Sequence, residues 1–175
     1  EAGRVRRHDA ANIKAIVYPE IAAFASELFM LIGYESAKNM HIRYAVRDDL
    51  PVVVAIYNAS VAGRMATADT EPVTVATRET WFREHDPERR PLLVAEDARG
   101  IAGWLSVRSF YGRPAYRATV ELGYYVAPDR QRQGVGRLLL GEALSRAPEW
   151  EVRTLLAFAF AHNAPSVGLL EQFGF

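Results

Sequence analysis

The chain has 175 residues, half of them apolar, and a formal net charge of zero. This length and apolar content suffice for one compact domain with a sizeable core, and the neutral balance argues against a general nucleic-acid or membrane-surface binder. The sequence contains no cysteine, which excludes disulfides, thiolate zinc sites and a cysteine-bound acyl intermediate and fits a cytoplasmic protein.

Residues 1–39 precede the first well-patterned element, and we predict an N-terminal extension of uncertain origin there, outside a main domain that spans residues 40–175. The apolar stretch at residues 21–32 is interrupted by Glu27 and is shorter than the roughly 20 residues of a membrane-spanning helix. It also lacks the small-residue cleavage site of a signal peptide. We expect helices broken at Pro19, and a docking helix is the alternative.

A strand and two helices are predicted next. Residues 42–46 favour a short strand, and Asp48 can cap the helix that follows. The apolar residues of that helix recur at i, i+3, i+4 and i+7 and give it one buried face: Leu50, Val53, Val54 and Tyr57. Residues 58–72 are irregular, and Thr77 then offers a cap to a second helix that ends before Pro87.

The rest of the chain alternates strands and helices. Turn residues and apolar runs predict strands at residues 91–96, 101–110, 119–126 and 152–160, a loop at 111–117, and a helix at 137–147. A last helix is predicted to start at the cap Asn163 and to extend through residue 173.

The segment between the strand that ends at Val126 and the next helix has features of a phosphate-binding loop. Gly134 and Gly136 let the main chain approach a ligand, and the helix start leaves N–H groups free. The arginines that add positive charge there are Arg130, Arg132 and Arg137. An ordinary solvated turn explains the glycines about as well. Two familiar phosphate loops do not fit, because the chain has no Gly-Lys-Ser/Thr tripeptide and Leu139 stands where a dinucleotide fingerprint needs a small residue.

The loop resembles a family signature. Gln131-Arg132-Gln133-Gly134-Val135-Gly136 is similar to the Q/R-x-x-G-x-G/A motif of the GCN5-related N-acetyltransferases (GNAT). The phosphinothricin and methionine-sulfoximine acetyltransferase branch is resembled further, through Ile56-Tyr57-Asn58, Thr70-Glu71-Pro72-Val73, Thr119-Val120-Glu121 and Asn163-Ala164-Pro165-Ser166. The resemblance implies an α/β (α+β) GNAT fold, with a mixed, mostly antiparallel sheet flanked by helices, here without its last two strands.

The resemblance also implies acetyl-CoA as co-substrate and no metal. In the family, the loop amides hold the pyrophosphate, and a strand that splays from its neighbour pairs with the pantetheine arm. Asn163 would meet that arm, although helix capping is its alternative role. The implied cofactor-binding residues are Tyr124, Tyr125, Val126, Gln131, Arg132, Gln133, Gly134, Val135, Gly136, Arg137, Asn163 and Ser166.

Acetyl transfer to an amine needs a base that titrates near neutrality. Strand alternation places Glu121 on one face with Thr119, Gly123 and Tyr125, where an apolar setting would raise the pKa of its carboxyl group. Its position resembles the strand glutamate of the branch, which implies Glu121 as the catalytic base. A solvent-facing or salt-bridged glutamate is the alternative, and His162 is a rival base.

The implied acceptor-binding residues are Arg108, Ser109, Phe110 and Thr119. Arg108 could hold an amino-acid carboxylate bidentately. Two positions depart from the branch: Ala68 occupies an aromatic slot, and Leu170 stands where relatives have a tyrosine or histidine that protonates the departing thiolate. Tyr124, Tyr125 or a water would then serve as the proton donor, or the thiolate would leave unaided.

We therefore expect a cytoplasmic N-acetyltransferase that acetylates the primary amine of a small amino-acid-like compound by direct transfer. We expect no nucleic-acid or membrane partner, and a homodimer is one option. A polyamine, an aminoglycoside or a protein N-terminus is the alternative acceptor, against which Arg108 argues mildly. A non-catalytic acyl-CoA sensor is the second alternative, because Leu170 cannot donate a proton.

Overall fold

The computed structural model describes residues 13–19 and 39–175 of the chain, so the apolar segment at residues 21–32 lies outside the described residues. The described strands and α-helices, in chain order, are β1 (Ile13–Pro19), β2 (His41–Tyr44), α1 (Leu50–Val61), α2 (Val75–Arg83), β3 (Leu92–Asp97), β4 (Gly100–Ser109), β5 (Thr119–Val126), α3 (Val135–Arg146), β6 (Thr154–Phe160) and α4 (Ala164–Gln172). Apart from the start of α2 and the ends of α1 and α2, the predicted elements after Met40 begin and end within about two residues of these bounds. Helix α1 continues to Val61, into the segment predicted as irregular, and α2 ends at Arg83, earlier than predicted.

The described strands form one sheet in the order β1-β6-β5-β4-β3-β2. Every neighbouring pair is antiparallel except β5 and β6, which run parallel. The predicted mixed, mostly antiparallel sheet flanked by helices is therefore confirmed. The parallel pairing is short, since it extends only from Thr119–Thr154 to Leu122–Ala157, while both strands continue further.

Strand β1 belongs to the same sheet. It pairs antiparallel with β6 along its whole length, from Ile13–Phe160 to Pro19–Thr154. The expectation of helices broken at Pro19 is therefore wrong for these residues. An extended segment satisfies the main-chain groups along the free edge of β6, which a helix could not do. The domain boundary between residues 39 and 40 stays a prediction.

The two faces of the sheet bury different clusters, because successive side chains of a strand point to opposite faces. On one face, Val120 of β5 packs in a cluster with Leu139 and Leu140 of α3, and all three are fully buried. On the other face, Trp104 of β4 packs with Val53 of α1 and donates a hydrogen bond to its carbonyl oxygen at 3.0 Å. Each such side chain contributes about 1.5–3 kcal/mol through burial.

Two predicted helix caps differ from the observed ones. The residue before α1 is Asp49, not Asp48, and its carboxylate accepts from the main-chain N–H of Val46 at 2.8 Å. For α2 the cap is Thr74, whose hydroxyl accepts from the N–H of Thr77. In return, the Thr77 hydroxyl accepts from the N–H of Thr74. The two threonines cap the helix reciprocally, so it starts about one turn earlier than a cap at Thr77 predicted.

Arg43 ties the first strand of the main domain to the start of α1 and to β3. Its guanidinium donates two hydrogen bonds to Asp49, at 2.6 and 2.9 Å, and two to Glu96, at 2.9 and 2.7 Å. These hydrogen bonds hold the pKa of both carboxyl groups below their ordinary values. The network therefore fixes the position from which α1 crosses the sheet.

Replacement of Arg43 by glutamine should lower the free energy of unfolding at pH 7 by about 2 kcal/mol, because two partly buried carboxylates lose their partner. Since the folded pKa of Asp49 and Glu96 is depressed, their contribution is present above the unfolded value of about 4 and is lost as the pH falls through the folded values. Urea denaturation at pH 7 and pH 3 should therefore give a smaller difference at pH 3. An equal difference at both values would contradict this account. As a control, Arg89→Gln removes an exposed ion pair with Glu151 and should change stability by less than about 0.5 kcal/mol.

Candidate active site

The site is built around the point where β5 and β6 diverge. Beyond the Leu122–Ala157 pair, no strand pairing joins β5 to β6 in the described part of the chain, although β5 continues to Val126. The opposite edge of β5 stays paired with β4 as far as Val126. The edge of β5 that faces β6 therefore has no described strand partner over Gly123 to Val126. Because Thr119 and Ala127 hydrogen-bond to the β4 side, the main-chain groups of Tyr124 and Val126 face this open edge, where a ligand can pair with them. The co-substrate contacts of Tyr124, Tyr125 and Val126 stay predictions.

The predicted phosphate loop follows β5 directly. Gly134 has φ +83° and Arg132 has φ +59°, and Gly134 precedes the first residue of α3. Within the described residues, no hydrogen-bond acceptor is recorded for the main-chain N–H groups of residues 131–137. Left-handed turns that expose consecutive N–H groups at a helix N-terminus form a concave anion site. The geometry therefore fits a diphosphate.

The arginines near this loop differ in their accessibility. Arg130 is buried and forms an ion pair with Asp97. The expectation that Arg130 supplies positive charge to the loop is therefore wrong. Arg137 donates to the side chain of Gln172. Arg132 is exposed and has no ion pair recorded with the described residues. Of the three, Arg132 is best placed to meet a solvent-borne phosphate.

Asn163 caps α4, as predicted, because its Oδ1 accepts a hydrogen bond from the N–H of Ser166 at 3.3 Å. Its Nδ2 donates to the carbonyl oxygen of Met65 at 2.8 Å, so the whole amide is engaged within the chain. The pantetheine contact stays a prediction. Beside Ser166, the hydroxyl of Tyr124 is buried without a well-formed hydrogen bond in the described part of the chain, and burial raises its pKa.

On the other side of β5, a cavity of about 130 Å³ lies between the sheet and the two helices α1 and α2. Glu121 lies in its floor with Gly123 and Tyr125, as strand alternation predicted. Arg108 of β4 is the cross-strand partner of Glu121 and also lines the cavity. No ion pair is recorded between these two side chains, or between either of them and another described residue, so within the described part of the chain both charges are available to a ligand.

The other predicted acceptor residues do not line this cavity. The hydroxyl of Ser109 accepts from Arg90 at 2.8 Å, and Phe110 packs in an aromatic cluster with Tyr111 and Tyr116. Thr119 accepts a main-chain hydrogen bond from Phe110 at the outer end of β5. The cavity begins at Arg108, one residue before Ser109 on β4, and at Glu121, two residues after Thr119 on β5.

Sequence reasoning missed most of the cavity wall. Four aromatic rings surround it: Tyr57, Trp81, Trp104 and Tyr125. Trp104 lies 4.7 Å from the Tyr125 centroid and 5.7 Å from the Trp81 centroid, in tilted and edge-to-face contacts. Arg78 also lines the wall. The spacing of Arg78 and Trp81 places them on one helix face, but the spacing does not say what that face meets.

The irregular loop after α1 closes one end of the cavity. The Tyr57 hydroxyl donates to Asp69 at 2.5 Å and contacts the Thr67 hydroxyl at 2.6 Å, and the Tyr125 hydroxyl donates to the carbonyl oxygen of Ala66 at 3.2 Å. Burial raises the pKa of both tyrosines, so both stay protonated at neutral pH. This loop is thus hydrogen-bonded to two residues of the cavity wall, Tyr57 and Tyr125.

The structure also places His162, the alternative base, and Leu170, which stands where relatives have a tyrosine or histidine. His162 is exposed and stacks on Phe160, and it does not line the cavity. Leu170 is buried in the core at 1% exposure. Among residues 13–19 and 39–175, no group of three metal-ligating side chains is found. The helices in that part of the chain are all too short or too polar to cross a bilayer.

Comparisons with known proteins agree with this geometry. The model of the acetyltransferase (GNAT) family matches residues 41–175. The Bacillus subtilis (strain 168) protein named "Putative phosphinothricin acetyltransferase YwnH" is 52% identical over 137 residues, which cover 78% of this chain and 83% of that protein. The L-methionine sulfoximine/L-methionine sulfone acetyltransferase of Pseudomonas paraeruginosa is 36% identical, with 77% and 78% covered.

A GNAT phosphinothricin acetyltransferase from Sinorhizobium meliloti, solved in complex with acetyl-CoA, superposes with a TM-score of 0.73 at 30% identity and covers 78% of this chain and 74% of its own. The resemblance seen in the sequence is thereby confirmed, and so is acetyl-CoA as co-substrate. The chain belongs to the acetyltransferase (GNAT) family and is an acetyl-CoA-dependent N-acetyltransferase.

Proposed function

We propose that the protein acetylates the primary amine of a small amino-acid-like acceptor of the phosphinothricin, methionine sulfoximine or methionine sulfone type. The observation that carries this proposal concerns Glu121 and Arg108, which are cross-strand partners and line the same cavity. Neither side chain makes a recorded ion pair with the described residues. An α-amino acid is a zwitterion whose ammonium and carboxylate complement these two charges. The relatives named for such acceptors support the proposal.

The transfer proposed here is direct, with both substrates bound on β5. Glu121 takes a proton from the acceptor ammonium, directly or through one water, and the amine nitrogen then attacks the thioester carbonyl carbon. The new N–C bond forms as the C–S bond breaks, and the coenzyme A thiolate leaves. The nitrogen gives its second proton to solvent water, which leaves a neutral amide, and solvent returns a proton to the group that protonates the thiolate. The free edge of β5 and the amides of residues 131–137 hold the co-substrate so that its thioester lies beside the cavity.

Tyr124 is the proposed proton donor to the departing thiolate. Leu170 has no proton to give, and the Tyr125 hydroxyl is used on Ala66. The Tyr124 hydroxyl lacks a well-formed hydrogen bond among the described residues, and its raised pKa keeps it protonated. A buried phenol that keeps its proton can donate it to a thiolate that forms next to it.

The alternative acceptors and the sensor are less well supported. A polyamine or an aminoglycoside carries several positive charges, which would meet both Arg78 and Arg108 in the cavity lining. A non-catalytic sensor has no need for an unpaired carboxylate beside an acceptor-sized cavity. Turnover by the wild-type protein separates these options.

Replacement of Glu121 by glutamine should lower kcat by about 100-fold or more, because general base catalysis typically contributes that much. Thiol release with methionine sulfone and phosphinothricin measures kcat, and calorimetry should show unchanged acetyl-CoA binding. Glu88→Gln, at an exposed turn, is the matched control. A kcat in the Glu121 variant equal to that of the wild type would contradict the role of Glu121 as base. A wild-type protein inactive on every amino acid tested would contradict the proposed acceptor class.

Gly134→Ala should weaken acetyl-CoA binding by about tenfold, since a side chain disfavours the left-handed conformation and turns the loop amides away from a charged oxygen. Calorimetric titration with acetyl-CoA gives the dissociation constant. Gly100→Ala is a matched control, because Gly100 also has a positive φ (+101°) but is the first residue of β4, outside the loop before α3. Equal affinities in both variants would refute the proposed pyrophosphate site.

Tyr124→Phe should lower kcat by about tenfold or more with little change in the acceptor KM, because only the proton transfer to the thiolate is lost. Steady-state thiol release at saturating acetyl-CoA measures both constants. Tyr116→Phe, on the exposed aromatic cluster, serves as the control. An unchanged kcat would assign the proton to water.

A further inference from the structure

Arg78 is the second cation in the lining of the cavity, and the mechanism above does not use it. It lies on α2, in the helical wall, whereas Glu121 and Arg108 lie in the strand floor. A ligand whose amine meets Glu121 and whose carboxylate meets Arg108 therefore has its side chain left to extend toward the helices.

The guanidinium of Arg78 is held in a defined orientation. Its central carbon lies 4.8 Å from the Tyr57 ring centroid and 5.7 Å from the Trp81 centroid, within the range of cation–π contacts. One terminal nitrogen donates to Asp69 at 3.3 Å, and Asp69 is itself held by the Tyr57 hydroxyl. Three contacts from three segments fix the plane of this side chain.

Arg78 keeps unused capacity to donate hydrogen bonds. A guanidinium has five N–H groups, and the contact with Asp69 is its single recorded hydrogen bond to the described residues. The side chain is 27% exposed, less than Asp69 at 45%. A partly buried, pre-oriented arginine with free donors suits a planar or tetrahedral group that presents two oxygens.

Asp69 contacts Arg78 from outside the cavity lining, and the lining next to Arg78 is aromatic. Trp81, Trp104 and Tyr57 offer apolar surface between the strand floor and Arg78. A side chain of two or three methylene groups would pack against these rings and end at the guanidinium. An oxygen-bearing head at that end would receive its hydrogen bonds, whereas an apolar head would leave the donors unsatisfied.

We propose that Arg78 is a specificity-determining residue that binds the oxygen-bearing head at the end of the acceptor side chain, so the preferred acceptors are amino acids with a phosphinate, sulfone or sulfoximine head. The proposal rests on the function proposed above. It assigns the two arginines separate tasks: Arg108 meets the α-carboxylate, which all amino acids share, and Arg78 distinguishes among their side chains.

The test compares acceptors that differ only at the side-chain head: phosphinothricin with an anionic head, methionine sulfone with a neutral polar head, and norleucine with an apolar end. Arg78→Gln should raise the KM for phosphinothricin about ten- to a hundredfold, as expected for a lost hydrogen bond to a charged group, and should raise that for norleucine less than about twofold. Methionine sulfone should fall between them. Thiol release at saturating acetyl-CoA measures all three.

Two further variants separate recognition from folding. Arg108→Gln should raise KM for all three acceptors alike, because they share the α-carboxylate. Arg83→Gln, on the same helix with contacts only to its own turn, should change none of them. If thermal melting shows that Arg78→Gln is not folded, Arg78→Lys gives the same comparison, because lysine keeps the charge but lacks the planar guanidinium. The KM of this variant should rise less, and the rise should still depend on the side-chain head of the acceptor.

An equal rise in KM for all three acceptors in the Arg78 variants, or no rise, would overturn this inference while leaving the proposed function standing. A wild type that acetylates norleucine as well as phosphinothricin would overturn it too. If the wild type transfers acetyl to none of the three, the proposed function fails first and the role of Arg78 fails with it.

Discussion

The early divergence of β5 from β6 is the constraint on which the site depends. The two parallel strands pair for only four residues of β5, Thr119–Leu122, while the other edge of β5 is held by β4 up to Val126. One edge of a firmly positioned strand is thereby released for a ligand. Because side chains alternate, the same strand presents Glu121 to the acceptor cavity and Tyr124 to the opposite face. The proposed base and proton donor are thus three residues apart on one strand.

The loop after α1 connects the two halves of the site. Its residues Met65, Ala66 and Asp69 are bonded to groups from three elements, namely Asn163 before α4, Tyr125 of β5 and Tyr57 of α1. The amide of Asn163 caps α4 and holds Met65 at the same time. One side chain therefore joins the start of α4 to the loop after α1.

The arginines of this chain divide into structural and available groups. Arg43 and Arg130 are engaged by carboxylates that lie in or near the core, so their charge is spent on fixing β2, β3 and the turn before α3. Arg108 and Arg132 make no recorded ion pair with the described residues; Arg108 lines the cavity, and Arg132 is an exposed residue of the loop before α3. Local placement of the arginines, and not the net charge of zero, decides the field at each of these places.

The sequence by itself determined most of the elements after Met40, the glycine-containing turn before α3 and the face that carries Glu121, because apolar periodicity, glycine spacing and strand alternation are local properties. It also carried the family resemblance that the comparisons confirmed. Only the tertiary structure decided that residues 13–19 pair with β6, that Arg130 is buried against Asp97, and that Arg78 and Trp81 meet Tyr57 and Trp104 around one cavity. These outcomes depend on which elements become neighbours, and contacts between residues distant in the chain leave no periodic trace in either partner alone.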